Sequence, residues 1–585
     1  MRKELVSLRE LMSNYGIDVY IVPTNDFHGS EYINDYFKTR CHISGFTGSA
    51  GTLIVTHDEA RLWTDGRYFL QAGIQLKDSG IELMKDGEPE VPTIAEYLEA
   101  TLSEGNVLGF DGRVLSCALG DTYAKIAESK DASVAHGHDL AGEAWLDRPV
   151  LSGSDVWAMP ESSCGSSFAE KISEVRKTLA AHNANYHLIT GLEENAWLYN
   201  LRGSDVEHTP VFFAFTLVTP VNVILYAFED AFRNVELPEG VSIRSYFMVT
   251  HDLAELPPTS TLYADLKNAS YALIKAVPAD CRIIDKPSPV TLFKALKNEA
   301  EIRSTKAAHI GDGAAMANFI CWVKDNVGKL EMDEISAADY LAARRAEQEG
   351  FLDLSFETIC GYMSNGAIIH YGATPETSKK IEPNGLLLVD SGGQYLTGTT
   401  DITRTLAVGP LTDKMKRYYT AVLRGHIDLA MARFAEGTTG ADLDIITRAP
   451  LLEEGINYNH GTGHGVGHVL SVHEGPQNIS KKGDVQPFLP GMITSDEPGV
   501  YIEGEFGIRI ENELLCVKTD SADGKNLHFE NITLCPYERD AILPDMLTTE
   551  ERSYLNAYHK RVYDTISPLV SDHVREWLAA ATAEI

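Results

Sequence analysis

The first 150 residues alternate between two spacings of hydrophobic positions. Lys3 to Tyr15 mixes apolar and charged residues at helical spacing, which predicts an amphipathic helix. The apolar runs Val19 to Pro23 and Thr52 to Thr56 predict strands. Alternating helix and strand patterns are typical of an α/β fold. A stretch enriched in Ser, Pro and Gly, Pro149 to Ser167, interrupts the pattern and predicts a linker.

A second α/β pattern runs from Phe168 to Asp285, where prolines end it. Inside it, Thr209 to Phe228 carries no charge over twenty positions, which is the usual length of a membrane-spanning helix. Pro210 and Pro220 interrupt this run, and its flanks are rich in β-branched and aromatic residues. We therefore expect two buried strands of a hairpin and no membrane span.

A third pattern opens with a long amphipathic helix, Asn298 to Asn326, and the chain closes with a charged, helix-prone tail, Thr548 to Ala581. We expect an N-terminal domain over residues 1–155 and a second over 156–295. A third follows over 296–540, with a helical extension over 541–585.

The composition of the chain limits the kinds of partner and cellular compartment that we expect for it. The 585 residues hold 50 Lys and Arg against 84 Asp and Glu, a formal net charge of −34, so we expect no nucleic-acid binding. The eight cysteines are scattered without a CxxC pair, which favours reduced, mostly buried thiols in a cytoplasmic protein. The N-terminal residues open into an amphipathic pattern without the apolar segment of a signal peptide.

Between residues 370 and 511, acids and histidines stand inside apolar, strand-like runs, where an unpaired charge is costly. Leu386 to Gly393 predicts a buried strand that ends near Asp390, and Thr399 to Thr405 predicts a second strand that presents Asp401 on one face. Eleven residues separate the two acids, a spacing that fits a hairpin and brings both carboxylates together. Either acid alone would suit a turn or a salt bridge; the pair favours metal ligation.

Histidines follow in a glycine-rich run, His460 to His468, with His473 just beyond it. The glycines argue against a helical zinc motif, and they do not fit a dinucleotide-binding fingerprint. Glycines of this kind let backbone approach a site closely while an imidazole points into it. Further on, Gly507 to Glu513 alternates, so that Arg509 and Glu511 share one strand face, which by itself would suit an exposed polar face.

Four acids and one imidazole from these runs form an oxygen-rich donor set: Asp390, Asp401, His464, Glu497 and Glu511. Four carboxylates do not stay ionised side by side without cations, so the set predicts a pair of divalent metals, with Mn²⁺ or a similar ion favoured by the oxygen donors. Two metals that share a water suit amide hydrolysis. The spacing by itself indicates a dimetal hydrolase.

At these residues the sequence resembles the pita-bread metallopeptidases, in particular the three-domain aminopeptidase P form. The resemblance implies two creatinase-like α/β N-terminal domains followed by a pita-bread catalytic domain, an α/β (α+β) architecture. The runs that carry it are Gly366–Tyr371, Val389–Gly392, Thr399–Thr405, His460–Gly467, Val472–Pro476, Glu497–Tyr501 and Gly507–Asn512, with Ser44–Gly51, Trp63–Phe69 and Arg202–Val206 in the N-terminal half.

The resemblance also implies roles for the donor set. Asp390 is similar to the ligand of one metal, Asp401 and Glu511 to the bridging carboxylates, and His464 with Glu497 to the ligands of the other metal. In the family, a hydroxide between the metals attacks the carbonyl before proline, and the counterpart of Glu497 accepts the proton of the water. The metals are expected to be Mn²⁺, with Zn²⁺ or Co²⁺ as alternatives.

Further roles follow from the same resemblance. His370 and His473 match histidines that contact the substrate and assist the tetrahedral intermediate. His460 matches a histidine on the substrate side, and Tyr501 and Arg509 match pocket positions. The implied partners are peptides with proline second and a second copy of the chain in a homodimer. The alternatives are a prolidase or creatinase-type hydrolase on the same fold, and a non-catalytic binding module, which would be expected to lack metal ligands.

Overall fold

The computed structural model describes residues 2–481, 486–519 and 524–585, and the chain divides into two compact units. The first unit extends to Ala158 and also holds Ser167–Glu207 and Val211–Val290. The second holds Met159–Ser166, His208–Pro210 and Thr291–Ile585. The segment predicted as a linker is therefore shared between the units, and it contains a short strand and a short helix.

The first part of the first unit has an α/β arrangement, with one six-stranded sheet and helices around it. Its strand order is β4-β3-β2-β1-β5-β6. The predicted helix and both predicted strands are confirmed, and the helix ends where Gly16 adopts a left-handed conformation, φ 66°. The elements are α1 (Lys3–Tyr15), β1 (Val19–Pro23), α2 (Thr39–Ser44), β2 (Thr52–Thr56), β3 (Ala60–Thr64), α3 (Phe69–Gln75), β4 (Glu82–Lys85), α4 (Ile94–Thr101), β5 (Val107–Phe110), α5 (Cys117–Ser129), β6 (Ser133–Ala135) and α6 (Leu140–Glu143).

The next part of the chain builds a second sheet of similar layout, with the order β12-β11-β10-β8-β13-β14. The elements here are β7 (Trp157–Ala158), α7 (Glu161–Cys164), α8 (Phe168–Ala181), β8 (Tyr186–Ile189), α9 (Leu192–Tyr199), β9 (Leu201–Arg202), β10 (Ala214–Val218), β11 (Val223–Ala227), β12 (Val241–Ser245), α10 (Val249–Ala254), β13 (Thr261–Ala264), α11 (Tyr271–Ala276) and β14 (Arg282–Asp285).

The uncharged run at residues 209–228 forms the predicted hairpin. Strands β10 and β11 pair antiparallel, with Ala214 opposite Ala227, and nearly all of their side chains are buried in the sheet. No helix within residues 2–481, 486–519 and 524–585 combines the length and the hydrophobicity that a membrane span requires.

The long helix of the second unit is α13 (Glu299–Asn326), whose N-terminus is capped by Asn298 through a capping box with Glu301. The predicted long helix is thereby confirmed. The elements of this part are α12 (Pro289–Ala295), α13 (Glu299–Asn326), α14 (Glu334–Ala346), β15 (Phe351–Leu354), β16 (Ile359–Tyr362), β17 (Leu386–Ser391), β18 (Gly393–Tyr395), β19 (Gly398–Thr399), β20 (Ile402–Ala407), α15 (Asp413–Ala430), β21 (Arg433–Phe434), α16 (Gly440–Glu453), β22 (Gly463–Gly465), β23 (Glu474–Ile479), β24 (Ile493–Asp496), β25 (Gly499–Ile502), β26 (Phe506–Arg509), β27 (Asn512–Lys518), β28 (Leu527–Asn531), α17 (Thr549–Ile566) and α18 (Asp572–Ala581).

Two sheets of this unit carry the functional region, in the orders β16-β17-β20 and β21-β28-β27-β24-β22-β23. Every side chain of β17, β20 and β26 is buried, because helices and other strands cover both faces. The exposed polar face that this alternation would suit by itself is therefore not formed, and the charged side chain of Arg509 lies inside.

The C-terminal helices belong to the core of the second unit. Leu555, Val562, Ile566 and Leu578 are fully buried, together with residues of α13 and α15, in one hydrophobic cluster. The predicted helical tail is confirmed as helices α17 and α18. All eight cysteines are free thiols, and seven of them are buried, as expected.

Candidate metal centre

The first two expected ligands lie on neighbouring strands. β17 and β20 pair antiparallel, with Asp390 opposite Thr403, and Asp401 immediately precedes β20 instead of lying within it. The expected antiparallel pairing of the two strands is confirmed, with β18 and β19, which belong to another sheet, lying between them in the chain. Asp390 accepts a 2.6 Å hydrogen bond from Arg509 Nη2. Its other oxygen, Oδ1, and Oδ1 of Asp401 are buried without a hydrogen-bond partner, so each can accept a cation.

His464 lies in the short strand β22 and faces these acids. Its Nε2 is 3.4 Å from Asp401 Oδ2 and 3.8 Å from Glu497 Oε1. Its Nδ1 lies 2.9 Å from the carbonyl oxygen of Gly465, and a proton at Nδ1 leaves the lone pair of Nε2 directed at the carboxylates. The imidazole is thus oriented as a metal-ligating histidine requires.

Glycine is required beside His464. A Cβ on Gly463 would lie 1.9 Å from the carbonyl oxygen of Ser495, on the paired part of the sheet. The Oγ of Ser495 accepts a hydrogen bond from the backbone N–H of His464 at 3.0 Å. The close approach of these two backbones is what brings the imidazole to the acids, in agreement with the role predicted for the glycine-rich run.

Thr403 holds Glu511 in place through two hydrogen bonds. Thr403 Oγ1 donates to Glu511 Oε2 at 2.7 Å, and the backbone N–H of Glu511 donates to the Thr403 carbonyl at 3.1 Å. Asp401, His464 and Glu511 each present one ligand atom within 4.8 Å of the others. The structure therefore brings the five expected ligands of the sequence into one region.

Burial and mutual repulsion raise the pKa of three of these acids. Burial is the largest cause for Asp401, Glu497 and Glu511, and the neighbouring carboxylates raise each pKa further. Divalent cations would relieve both effects, and orphaned carboxylate oxygens with one oriented imidazole are a donor set that fits them.

The residues expected to line the substrate side form a chain of hydrogen bonds. Arg509 Nη1 donates to the Tyr501 hydroxyl at 2.8 Å, and His460 Nε2 lies 2.8 Å from the same oxygen. Burial raises the pKa of Tyr501 to about 12, so its hydroxyl keeps its proton at neutral pH. Hydrogen bonds thereby connect Asp390 to Arg509, Arg509 to Tyr501, and Tyr501 to His460.

The two remaining histidines lie at the edges of this group. The ring of His473 contacts that of His464 edge-on, with centroids 4.2 Å apart. His370 follows Ile369, whose carbonyl oxygen lies 3.5 Å from Arg509 Nη2. The structure places His473 against the expected ligands and His370 one residue beyond a contact with Arg509.

Sequence reasoning missed a second carboxylate that supports Asp401. Glu513 Oε1 accepts a hydrogen bond from the backbone N–H of Asp401 at 2.8 Å, and its Oε2 lies 3.2 Å from His309 Nε2. Both Glu513 and His309 are almost completely buried. The alternation of Gly507 to Glu513 in the sequence was the available signal, because it continues from Glu511 to Glu513 with a two-residue period.

Three further buried ion pairs flank the ligands and were not anticipated. His426 Nδ1 lies 3.1 Å from Asp496 Oδ2, next to Glu497 in the chain. Glu474, next to His473, forms ion pairs with Lys297 and, at 2.7 Å, with Lys294. These contacts come from helices far away in sequence, so spacing within a motif could not reveal them.

Comparisons with known proteins match nearly the whole chain in four segments. Family models described as "Creatinase/Prolidase N-terminal domain" match residues 5–138 and 147–301. "Metallopeptidase family M24" matches residues 303–518, and "C-terminal region of peptidase_M24" matches residues 525–585.

Several relatives align along nearly their entire length. A "Probable Xaa-Pro aminopeptidase P" of Laccaria bicolor is 40% identical over 98% of this chain and 92% of its own. "Aminopeptidase P1" of Arabidopsis thaliana is 37% identical over 100% and 99%, respectively.

Among solved structures, an X-prolyl aminopeptidase from Caenorhabditis elegans, described as a cytosolic enzyme with a di-nuclear active site, superimposes with a TM-score of 0.93. It is 31% identical and covers 100% of this chain and 99% of its own. A prolidase from Pyrococcus horikoshii reaches a TM-score of 0.51 at 25% identity and covers 63% of this chain.

Proposed function

This chain belongs to the Xaa-Pro aminopeptidases of metallopeptidase family M24, and we propose that it releases the first residue from peptides with proline second at the centre formed by Asp401, His464 and Glu511. The observation that carries the assignment of the site is the convergence of these three ligand atoms within 4.8 Å, with unpartnered carboxylate oxygens beside them. Proline lacks an N–H and has a fixed φ, so its peptide bond needs a dedicated site.

The proposed metal ligands are Asp390, Asp401, His464, Glu497 and Glu511. Asp401 and Glu511 would bridge two divalent cations, Asp390 would complete one site, and His464 with Glu497 would complete the other. Carboxylate oxygens dominate this set, which favours Mn²⁺, with Zn²⁺ and Co²⁺ as alternatives. When bound, the cations acidify water and polarise the scissile carbonyl.

The protein's own groups would move protons and stabilise charge. A carboxylate oxygen of Glu497 would take up the proton of the attacking water. His473 and His370 would donate hydrogen bonds to the oxygen that becomes negative as the carbonyl is attacked. Arg509, through Asp390 and the Tyr501 hydroxyl, would keep this side of the site fixed, and His460 would line the substrate pocket.

The proposed organisation has creatinase-like domains at 1–155 and 156–295, a catalytic domain at 296–540 and its helical extension at 541–585. We further propose a cytoplasmic homodimer, because the related C. elegans enzyme is described as cytosolic and the aminopeptidase P resemblance implies dimers. Light scattering of the purified chain would measure the oligomer size.

The test is hydrolysis of three matched peptides, Xaa-Pro-Xaa, Xaa-Ala-Xaa and the dipeptide Xaa-Pro, after chelation and again after Mn²⁺ is restored. We expect metal-dependent release of the first residue from Xaa-Pro-Xaa alone. Preference for the dipeptide would instead indicate a prolidase. Turnover that persists without metal would contradict the proposed centre.

A further inference from the structure

A second cluster of metal-ligating groups lies away from the proposed catalytic centre. Within the part of the chain that the structure describes, two clusters of at least three such groups have ligand atoms within 4.8 Å of one another. One is the centre described above; the other consists of Cys321, Asp325 and His573. We propose that this second cluster is a zinc-binding site that links the last helix of the chain to α13.

Two of its ligands are presented by one helix. Cys321 and Asp325 are four residues apart on α13, so their side chains stand one turn apart on the same face. The Cys321 Sγ lies 3.7 Å from Asp325 Oδ2. An i, i+4 pair on a helix is a rigid way to hold two ligands, because the backbone between them cannot change length.

The third ligand comes from α18, which packing holds in place. Val574 and Leu578 of α18 are buried in the same hydrophobic cluster as Cys321, which fixes this helix against α13. His573 lies in the first turn of α18, and its Nε2 lies 2.6 Å from Asp325 Oδ2. The imidazole therefore reaches the cluster without any rearrangement of the backbone.

The types of ligand atom in this cluster determine which metal ion it favours. A thiolate, an imidazole and a carboxylate form a mixed, borderline-soft set that suits Zn²⁺ better than Mn²⁺. Cys321 would release its thiol proton to solvent as the sulfur–zinc bond forms. With three protein ligands, the fourth position of a tetrahedral zinc is left for water.

The distances between the ligand atoms are close to those in a tetrahedral zinc site. Tetrahedral zinc with ordinary bond lengths separates its donor atoms by roughly 3.5 Å. The sulfur–carboxylate distance of 3.7 Å already matches, whereas the 2.6 Å His573–Asp325 contact is a hydrogen bond that zinc would replace. The side chains of Asp325 and His573 are 45% and 68% exposed, so they can open by about 1 Å and admit the ion from solvent.

The test uses the full-length chain, depleted of metal by chelation and titrated with Zn²⁺ or Co²⁺. We expect the wild type to bind one equivalent of zinc more than Cys321→Ser. Cobalt should produce a sulfur-to-metal charge-transfer band, because a thiolate is a donor here, whereas the catalytic donor set contains no sulfur. His573→Ala should weaken binding at this site at least about tenfold.

His57→Ala is the matched control, because His57 is an exposed histidine outside both clusters, and we expect it to retain the band and the extra equivalent. His573 is itself exposed, so His573→Ala remains informative if Cys321→Ser fails to fold. Equal zinc stoichiometry in wild type and His573→Ala, with no sulfur band, would overturn the proposal and leave the cluster a hydrogen-bonded contact between helices. Peptidase activity is not a readout, so this result is independent of the proposed function.

Discussion

Individual ligand residues at the proposed centre are held by neighbours from distant parts of the chain. The carboxylate of Asp390 accepts a hydrogen bond from Arg509, and that of Glu511 accepts one from Thr403. The backbone N–H of Asp401 donates to Glu513. A sequence motif identifies the ligand types because they recur at short spacing. The supporting contacts cross more than 100 positions, and so the pattern along the chain does not contain them.

Asp401→Asn tests the proposed bridging ligand. The amide cannot supply a second anionic oxygen, so we expect loss of metal and activity together while the fold persists. The measurements are metal content after dialysis and circular dichroism. Full activity in this variant would contradict the bridging role.

His473→Ala separates metal binding from turnover. His473 contacts the ring of His464 but is not a proposed ligand, so we expect both metals to remain and kcat to fall about 10²- to 10³-fold, the scale of a lost oxyanion donor. Metal analysis and steady-state kinetics measure the two effects. Loss of metal would mean that His473 is itself a ligand.

Glu513→Leu tests a residue that the sequence did not reveal. It leaves the buried N–H of Asp401 without an acceptor, which costs about 1–3 kcal/mol of unfolding free energy and should weaken metal binding. Glu513→Gln keeps an oxygen acceptor and is the control. Denaturant unfolding and metal titration provide the readouts, and equal behaviour of the two variants would refute the positioning role.

At the scale of elements, the hydrophobic periods predicted α1, the hairpin β10–β11, α13 and the C-terminal helices. They did so because each element buries one consistent face or is buried as a whole. The buried environment of Arg509 could not be predicted from alternation alone. Alternation by itself would suit an exposed face, whereas the resemblance implied a pocket position, and the packing of β26 against β17 and β20 encloses the guanidinium.

Gly463→Ala tests the backbone contact that positions β22. Its Cβ would lie 1.9 Å from the Ser495 carbonyl oxygen, so the strands must separate and His464 must move. We expect loss of metal affinity and a lower melting temperature. Gly461→Ala, two residues before β22, is the control, because the nearest neighbour of its Cβ would be 3.4 Å away. Equal metal affinity in the two variants would be the contrary result.

The second sheet carries a buried histidine that predicts acid sensitivity. Burial lowers the pKa of His187 to about 4, while its Nδ1 lies 2.9 Å from the Tyr263 carbonyl oxygen. Below the ordinary value of 6.5 the unfolded chain binds the proton and the folded chain does not. Its contribution to stability is therefore complete above pH 6.5 and is lost as pH falls towards 4.

His187→Gln removes this linkage. A pKa lowered from 6.5 to about 4 corresponds to about 3 kcal/mol, so the variant should lose less stability than the wild type between pH 6.5 and 4. Melting temperatures across that interval provide the measurement. Parallel curves for the two proteins would exclude His187 as a source of the acid sensitivity.

For the whole molecule, the sequence predicted the α/β class, whereas the proposed domain boundaries remain predictions. The division of residues 149–167 between two units was not predictable, because Ser, Pro and Gly indicate irregular backbone but not which core each residue joins. The spacing of apolar residues in the predicted helical tail indicated helices with an apolar face, but not that this face completes the core of the second unit.

Leu555→Glu against Leu569→Glu tests the role of the C-terminal helices. Leu555 is fully buried, and Leu569 is 54% exposed. A buried, unpaired carboxylate is strongly destabilising, so we expect Leu555→Glu to aggregate or to melt well below the wild type, and Leu569→Glu to behave normally. Soluble yield and thermal melting distinguish the variants. Similar melting of both would show that these helices are peripheral.

The burial of α17 and α18 also bears on when the enzyme can form during synthesis. Every proposed ligand has been translated by Glu511, yet the core around them is closed by side chains that follow Thr548. Because domains generally fold from the N-terminus as the ribosome delivers them, the first unit can become compact while translation continues. The catalytic unit cannot close its core until α18 has been translated, so peptidase activity should appear only in chains that include residues 572–581.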